Sequence, residues 1–323
     1  MDVTSPLARL LAIVLFAGVA LTPAFQAQAQ EGPIGKREFA VTRTVEDPLV
    51  ADELLFPSIL HIKRPGRRGE PPTRETGISG ELLKTLTPNF GVSLAGSLIH
   101  LDPDEAPTLT GFDNLAVGLK YAFFVNPTHE TILSAGLSWE VGGTGRRAVA
   151  NSFDVVTPAI FWGKGFGDLP EDLRVLKPLA VTGVLGLEIP TRGTTRTIRV
   201  KGGQTEVDVQ RNPNALQWGF VVEYSLPYLQ SSVKDTGLRT PVKELIPVVE
   251  LAFQTFLDRG SGGQTNGTVN PGIIWQGDSV QIGLEAVITV NARTGKNVGV
   301  QASLIFFFDE LFPKTLGRPL FGR

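Results

Sequence analysis

The chain has 323 residues, a formal net charge of −2 at pH 7, 36 glycines, 23 prolines and no cysteine. This charge provides no basic surface for a nucleic acid, and the glycine and proline content argues against a helical protein. Because disulfides are excluded, backbone pairing and side-chain packing have to hold the fold together.

The first 29 residues have the pattern of a secretory signal peptide. An apolar stretch over 10–25 follows a basic residue, and alanines at 27 and 29 occupy the positions that a signal peptidase reads. The stretch is shorter than the roughly 20 residues that a membrane-spanning helix needs. We therefore expect export with cleavage after Ala29. The polar residues 30–52, rich in turn-forming types, predict a flexible N-terminal arm.

From Glu53 onward, large apolar residues alternate with small or polar ones. In 279–290, Leu284 shares one face with apolar residues, and Glu285 shares the other with polar residues and glycine, where Val287 is the one large apolar exception. Only a β-strand places alternate residues on opposite faces. The pattern predicts strands over 53–62, 73–84, 89–100, 112–125, 130–142, 154–164, 177–189, 214–227, 244–257, 268–276, 279–290 and 297–309.

The chemistry of the second face decides the fold class. A soluble sandwich needs large apolar side chains from both sheets in its core. A membrane barrel instead turns its apolar face to lipid and keeps small or polar residues toward the lumen, on strands of about 9–11 residues. We therefore predict an all-β fold, an antiparallel up-and-down β-barrel of about twelve strands over 53–312. Its expected location is the outer membrane of a Gram-negative bacterium.

The connections support this orientation. Barrels of this class have short periplasmic turns and longer outer loops. The predicted short turns are 85–88, 126–129 and 276–278, whereas 165–176 and 228–243 are long exceptions on the same side. Among the outer loops, 194–210 predicts a projecting hairpin, which we hypothesise folds over the mouth of the barrel.

Several segments resemble a known family. These are 111–124 (GFDNLAVGLKYAFF), 270–291, 214–226, and Thr157-Pro158 followed by Gly163-Lys164-Gly165. They are similar to the outer-membrane transporter family associated with the meta-cleavage pathway of phenol degradation. The resemblance implies an outer-membrane barrel that passes small hydrophobic or aromatic compounds, and it brings no catalytic residues. The chain departs from the usual terminal Phe of such barrels, because 313–323 forms a basic C-terminal tail.

Charged residues recur on the predicted lumen face, and they have two interpretations. Carboxylates around a constriction would select solutes, favouring cations. Alternatively, lysines neutralise the glutamates in a structural network across a narrow lumen, and this network could itself be the gate. The candidate lumen-lining and selectivity residues are Glu81, Lys120, Glu140, Lys164, Glu188, Glu223, Glu250 and Glu285.

The favoured function is a passive channel for small hydrophobic or weakly polar solutes. The alternatives are a structural or interaction barrel with a blocked lumen, and a lipid-modifying enzyme. We expect no enzyme, because His61, His100 and His129 are the only histidines and show no catalytic or metal-ligand spacing. No cofactor or metal is expected. The expected partners are outer-membrane lipids including lipopolysaccharide, the barrel assembly machinery and small hydrophobic solutes.

Overall fold

The structure of the protein, a computed structural model, describes residues 34–66, 71–201 and 204–322. The predicted signal peptide lies outside these residues. Twelve antiparallel strands form one closed sheet, in which neighbours in sequence pair with each other and the first pairs with the last. The strands are β1 Glu53–Arg64, β2 Thr73–Thr87, β3 Phe90–Pro103, β4 Leu109–Phe112, β5 Ala116–Asn126, β6 Thr131–Glu140, β7 Val155–Gly165, β8 Leu179–Pro190, β9 Thr194–Lys201, β10 Gln204–Arg211, β11 Ala215–Tyr224, β12 Leu245–Phe256, β13 Thr265–Gln276, β14 Val280–Thr289 and β15 Val298–Phe307.

Three of these strands stand apart from the regular ring. Short β4 pairs with the outer end of β3, in line with β5, so β4 and β5 occupy one position of the barrel. Strands β9 and β10 form a separate hairpin, as the sequence predicted. The helical turns are Pro127–His129, Glu171–Leu176, Leu226–Tyr228, Leu229–Val233, Val242–Glu244 and Phe308–Leu311. Among the described residues, no helix is both long and apolar enough to cross a membrane.

The strands form where the sequence alternates, and the alternation separates two environments. Along β14, Ile282 and Leu284 are 49% and 55% exposed on the outside, whereas Gln281 and Glu285 on either side of them are buried inside. Apolar side chains exposed around the outside of a closed barrel are expected only where lipid covers them. The predicted twelve-stranded membrane barrel is therefore confirmed.

The N-terminal arm lies in the lumen of the barrel and does not trail in the periplasm. Its described part, 34–52, enters the lumen, turns near Thr44 and returns to β1 at the same end of the barrel. The packed core lies between this arm and the inner wall. Ala40 and Val45 share one apolar cluster with wall residues such as Val221. Burying such side chains stabilises the fold by roughly 25 cal/mol per Å² of apolar surface, which holds the arm in place.

Both described termini lie at the end of the barrel that carries the short turns. The tail pairs with the turn that follows β2, since the Leu320 and Phe321 amides donate to the Thr85 and Leu86 carbonyls at 3.2 and 2.7 Å. The arm passes beside Pro127 in the turn between β5 and β6. Short turns mark the periplasmic side of an outer-membrane barrel, so this end is the periplasmic one.

Candidate functional site: the lumen around the N-terminal arm

Arg37 fixes the base of the arm at the periplasmic end. Its guanidinium is fully buried; it donates from Nε to Glu130 Oε2 at 3.2 Å and to the carbonyls of Pro178 at 3.0 Å and Lys177 at 2.6 Å. The same group lies 3.9 Å from the ring centroid of Tyr228, whose hydroxyl donates to Glu130 at 2.8 Å. Burial, together with this bond, raises the pKa of Tyr228 to about 12, so the phenol keeps its proton.

Glu250 on β12 fixes the tip of the arm. One carboxylate oxygen accepts from the backbone amides of Thr44 at 2.8 Å and Val45 at 2.6 Å. The other oxygen accepts from the side-chain amides of Asn270 at 2.8 Å and Gln301 at 3.0 Å. A buried carboxylate needs this number of donors to offset its desolvation. Glu250 therefore binds the chain's own backbone.

Other inner-face residues bind the arm in the same way. Glu223 accepts from the Ala40 amide at 2.8 Å, and the Gln281 side chain pairs with both the amide and the carbonyl of Val41 at 3.1 and 2.7 Å. Lys120 donates to the Asp47 carbonyl at 2.8 Å and forms an ion pair with Glu46 at 2.7 Å. The polar inner face is thus largely complementary to the backbone of the arm.

The remaining predicted glutamates lie inside the barrel with other surroundings. Glu140 accepts from Asn114 at 2.8 Å and Glu188 from Gln254 at 2.6 Å, both toward the outer end. Glu81 lines the space beside the arm. Glu285 is buried, and one of its carboxylate oxygens has no hydrogen-bond partner in the described part of the chain.

Lys164 corrects one sequence prediction, because it lies outside the lumen. A Cβ on Gly163 would meet Pro48 and Phe39 of the arm, so the odd-numbered residues of β7 face inward. Lys164 has the opposite parity, that of Ile160, which is 45% exposed on the outside. At the periplasmic rim it pairs with Asp168 at 3.0 Å. The irregular start of β7 hid this parity from the sequence pattern.

Open space remains on more than one side of the arm. One cavity, of about 230 Å³, lies between the arm tip and strands β8, β11, β12 and β13. An outer cavity of about 290 Å³ lies among β1, β2, β3, β5 and the arm tip, and it shares Glu81, Ala95 and Ala116 with a middle cavity of about 260 Å³. The middle cavity shares Leu49, Val50 and Ala51 with a periplasmic cavity of about 70 Å³. These three cavities are therefore adjacent to one another, and the smallest of them lies beside the returning limb of the arm.

Sequence reasoning missed the residues that the arm contributes to this space. Arg43 lines the outer cavity and Glu46 the middle one. The arm has no strand periodicity, so nothing in its own pattern placed these side chains inside the barrel. A signal existed on the wall, where large apolar residues such as Val221 and Val287 occupy the polar face and are buried in the structure.

The closed sheet, its apolar exterior and its polar interior define a transmembrane β-barrel of the outer-membrane type, with the chain's own N-terminal arm in the lumen. Solved barrels are similar to it. The beta domain of the Bordetella autotransporter BrkA has a TM-score of 0.50 and 13% identity, covering 80% of this chain and 100% of that domain. This likeness concerns the fold.

Two further structures have comparable values. An outer-membrane channel from Pseudomonas putida F1 has a TM-score of 0.49 and 14% identity, with 84% of this chain and 100% of that one covered. The translocator domain of the autotransporter NalP from Neisseria meningitidis has a TM-score of 0.47 and 9% identity, with 79% and 88% covered. No protein-family model and no curated protein matches the chain.

Proposed function

We propose that the protein is a passive channel in the outer membrane of a Gram-negative bacterium, and that solutes move along one side of the N-terminal arm. The observation that supports this proposal is the row of three adjacent cavities, which runs from the outer half of the lumen to its periplasmic end. The arm fills much of the remaining lumen and narrows the passage. Only small solutes fit such a route.

The solute class is part of the proposal. Resemblance to the family associated with phenol degradation favours small hydrophobic or aromatic compounds. The middle cavity, however, is lined by Glu46, Glu81 and Lys120. Two carboxylates against one ammonium favour cations or polar solutes over anions. The charged lining therefore favours small polar compounds as additional solutes.

Cysteine labelling tests the route, because the chain has no native cysteine. Ser138 faces the middle cavity and is exposed there, whereas Ser303 is buried on the inner face outside the three cavities. A small charged thiol reagent on Ser138→Cys should lower single-channel conductance in planar bilayers, and the same reagent on Ser303→Cys should have little effect. Equal effects would contradict a route on this side of the arm.

A blocked barrel is the alternative, since the buried contacts of the arm could seal the lumen. It predicts no discrete openings in bilayers and no solute flux into liposomes, for the intact chain. Conductance that appears only after 34–50 are deleted would favour this alternative. Conductance of the intact chain, lowered through Ser138, favours the channel.

We further propose that the protein is not an enzyme. His61 and His100 lie at exposed positions of β1 and β3 and bond to Thr76 and Thr110 of neighbouring strands at 2.9 and 2.7 Å. Neither contact is to a serine that could act as a nucleophile. Incubation with lipopolysaccharide and phospholipids, followed by mass spectrometry, should show unchanged lipids. These lipids and the barrel assembly machinery remain proposed partners.

A further inference from the structure

The outer cavity has a lining that is unusual for a lipid-derived or aromatic solute. It is walled by small side chains, including Gly80, Ala95 and Gly96, and so leaves about 290 Å³ open. Since one water takes about 30 Å³ of liquid, this space is large enough for a small organic molecule. The groups that reach into it are charged or carry hydroxyls.

Two buried polar atoms at this cavity have no hydrogen-bond partner among the described residues. They are Arg43 Nε at the arm tip and Ser58 Oγ on β1, and both residues line the cavity. Buried donors are almost always paired, because leaving one unpaired is costly. Two such atoms beside one cavity mark a polar part of the lumen wall whose hydrogen bonds are incomplete.

Arg43 remains unpaired for a structural reason. The charges of Glu250, Glu75 and Glu285 act on Arg43, but no hydrogen bond joins it to any of them in the described part of the chain. Both oxygens of Glu250, whose effect is the largest of the three, already accept bonds from other groups. The guanidinium is thus left available toward the cavity. A planar guanidinium fork binds carboxylates through paired N–H groups, and this is the geometry in which arginine is selective.

The other charged residues of the lining are acidic. Glu81, Asp113 and Glu140 also border the cavity, so three carboxylates face one guanidinium. A simple anion would be repelled by this surplus of negative charge, and a simple cation would leave Arg43 unpaired. A molecule that carries both charges satisfies both groups.

We infer that the outer cavity is a binding station for small zwitterionic solutes of the amino-acid type, with the carboxylate on Arg43 and the ammonium toward Glu81 and Glu140. This inference rests on the proposed channel function and names its solute class. Binding ahead of the narrow passage would raise the local concentration of such solutes.

The test compares three probes of nearly equal length on the purified full chain: 4-aminobutyrate, butylamine and butyrate. Isothermal titration calorimetry should show 4-aminobutyrate binding at least tenfold more tightly than either singly charged probe. Arg43→Met should remove that preference, and Arg43→Lys should keep part of it. Arg74→Met is the matched control at the outer rim and should leave the preference unchanged, because Arg74 pairs with Asp102 and does not line this cavity.

The outcomes separate this inference from the channel function. Conductance with no preference for 4-aminobutyrate, or a preference that survives Arg43→Met, would overturn the zwitterion site and leave the channel intact. Binding without conductance or flux would support the site and contradict the channel. Heat-modified migration on gels, as a measure of barrel folding, confirms that each variant is folded before its binding is compared.

Discussion

Arg37 Nε lies 3.2 Å from Glu130 Oε2, and both side chains are almost completely buried where the arm enters the barrel. Glu130 also accepts the Tyr228 hydroxyl and the Gly167 amide, so one carboxylate joins the arm to two periplasmic connections. The Arg37–Glu130 pair therefore couples the position of the arm to the conformation of the two long periplasmic connections.

Arg37→Met should destabilise the protein by about 3–5 kcal/mol, because it leaves Glu130 buried without its charge partner. Urea unfolding in detergent micelles measures the change. Lys63→Met is the control, since the Lys63–Asp104 pair at 2.7 Å is partly exposed and is worth about 0–1 kcal/mol. Similar losses for both variants would contradict the anchoring of the arm by Arg37.

Glu250→Gln should loosen the arm tip. The new amide would place a donor against the Asn270 and Gln301 donors or lose its bonds to the Thr44 and Val45 amides, at about 1–3 kcal/mol. Hydrogen exchange at those two backbone amides should accelerate. In the matched variant Glu188→Gln only the single bond from Gln254 is affected, so arm exchange should not change.

Phe39→Ala should cost about 3–5 kcal/mol, because the Phe39 ring is 2% exposed and packs in a cluster with Ile132 and Ala180. Thermal unfolding of the purified protein reports the loss. Phe321→Ala removes a ring that is 65% exposed on the tail and should change stability little. If both variants behaved alike, the arm would not be packed as described.

Asp168 at the periplasmic rim provides a pH prediction. Partial burial raises the pKa of Asp168, but hydrogen bonds from His129 and Lys164 lower it. The net result is a pKa below the usual value for an aspartate. A depressed carboxyl pKa contributes stability above the unfolded-state value, and this contribution disappears as the pH falls through the folded-state value.

Asp168→Asn should therefore be less stable than the parent by at most about 1 kcal/mol at neutral pH, because the group is near the surface. The difference should vanish as the pH is lowered through the acidic range of this carboxyl. Unfolding midpoints at several pH values measure it. Asp172→Asn, at an exposed position in the same connection, is the control and should show a smaller difference. A stability difference between the parent and Asp168→Asn that grew as the pH fell would contradict a lowered pKa of Asp168.

The sequence predicted the barrel well and the lumen poorly. Period-two alternation is a local property, and it located all twelve barrel strands and the outer hairpin. The partner of each charged inner-face residue is a non-local property, because the arm that supplies many of these partners is distant in sequence. Glu223 and Glu250 could be placed in the lumen from parity, but the Ala40, Thr44 and Val45 amides that they bind could not.

Exceptions to the pattern carried the missing information. Val221 interrupts the polar face of β11, and in the structure it is 1% exposed against the arm cluster. A large apolar side chain aimed into a water-filled lumen would be unfavourable, so such residues indicate something packed inside. Lys164 shows where this reasoning fails. The start of β7 does not alternate clearly, so the sequence did not reveal that Lys164 faces the outside of the barrel.

The arm enters and leaves by the same mouth of the barrel, so it hangs in the lumen as a loop and is not threaded through it. Its withdrawal toward the periplasm would break side-chain contacts but none of the hydrogen bonds between barrel strands. Insertion of the arm can therefore follow closure of the cylinder as a separate event. The topology therefore allows the wall and the filling of the lumen to form in separate steps.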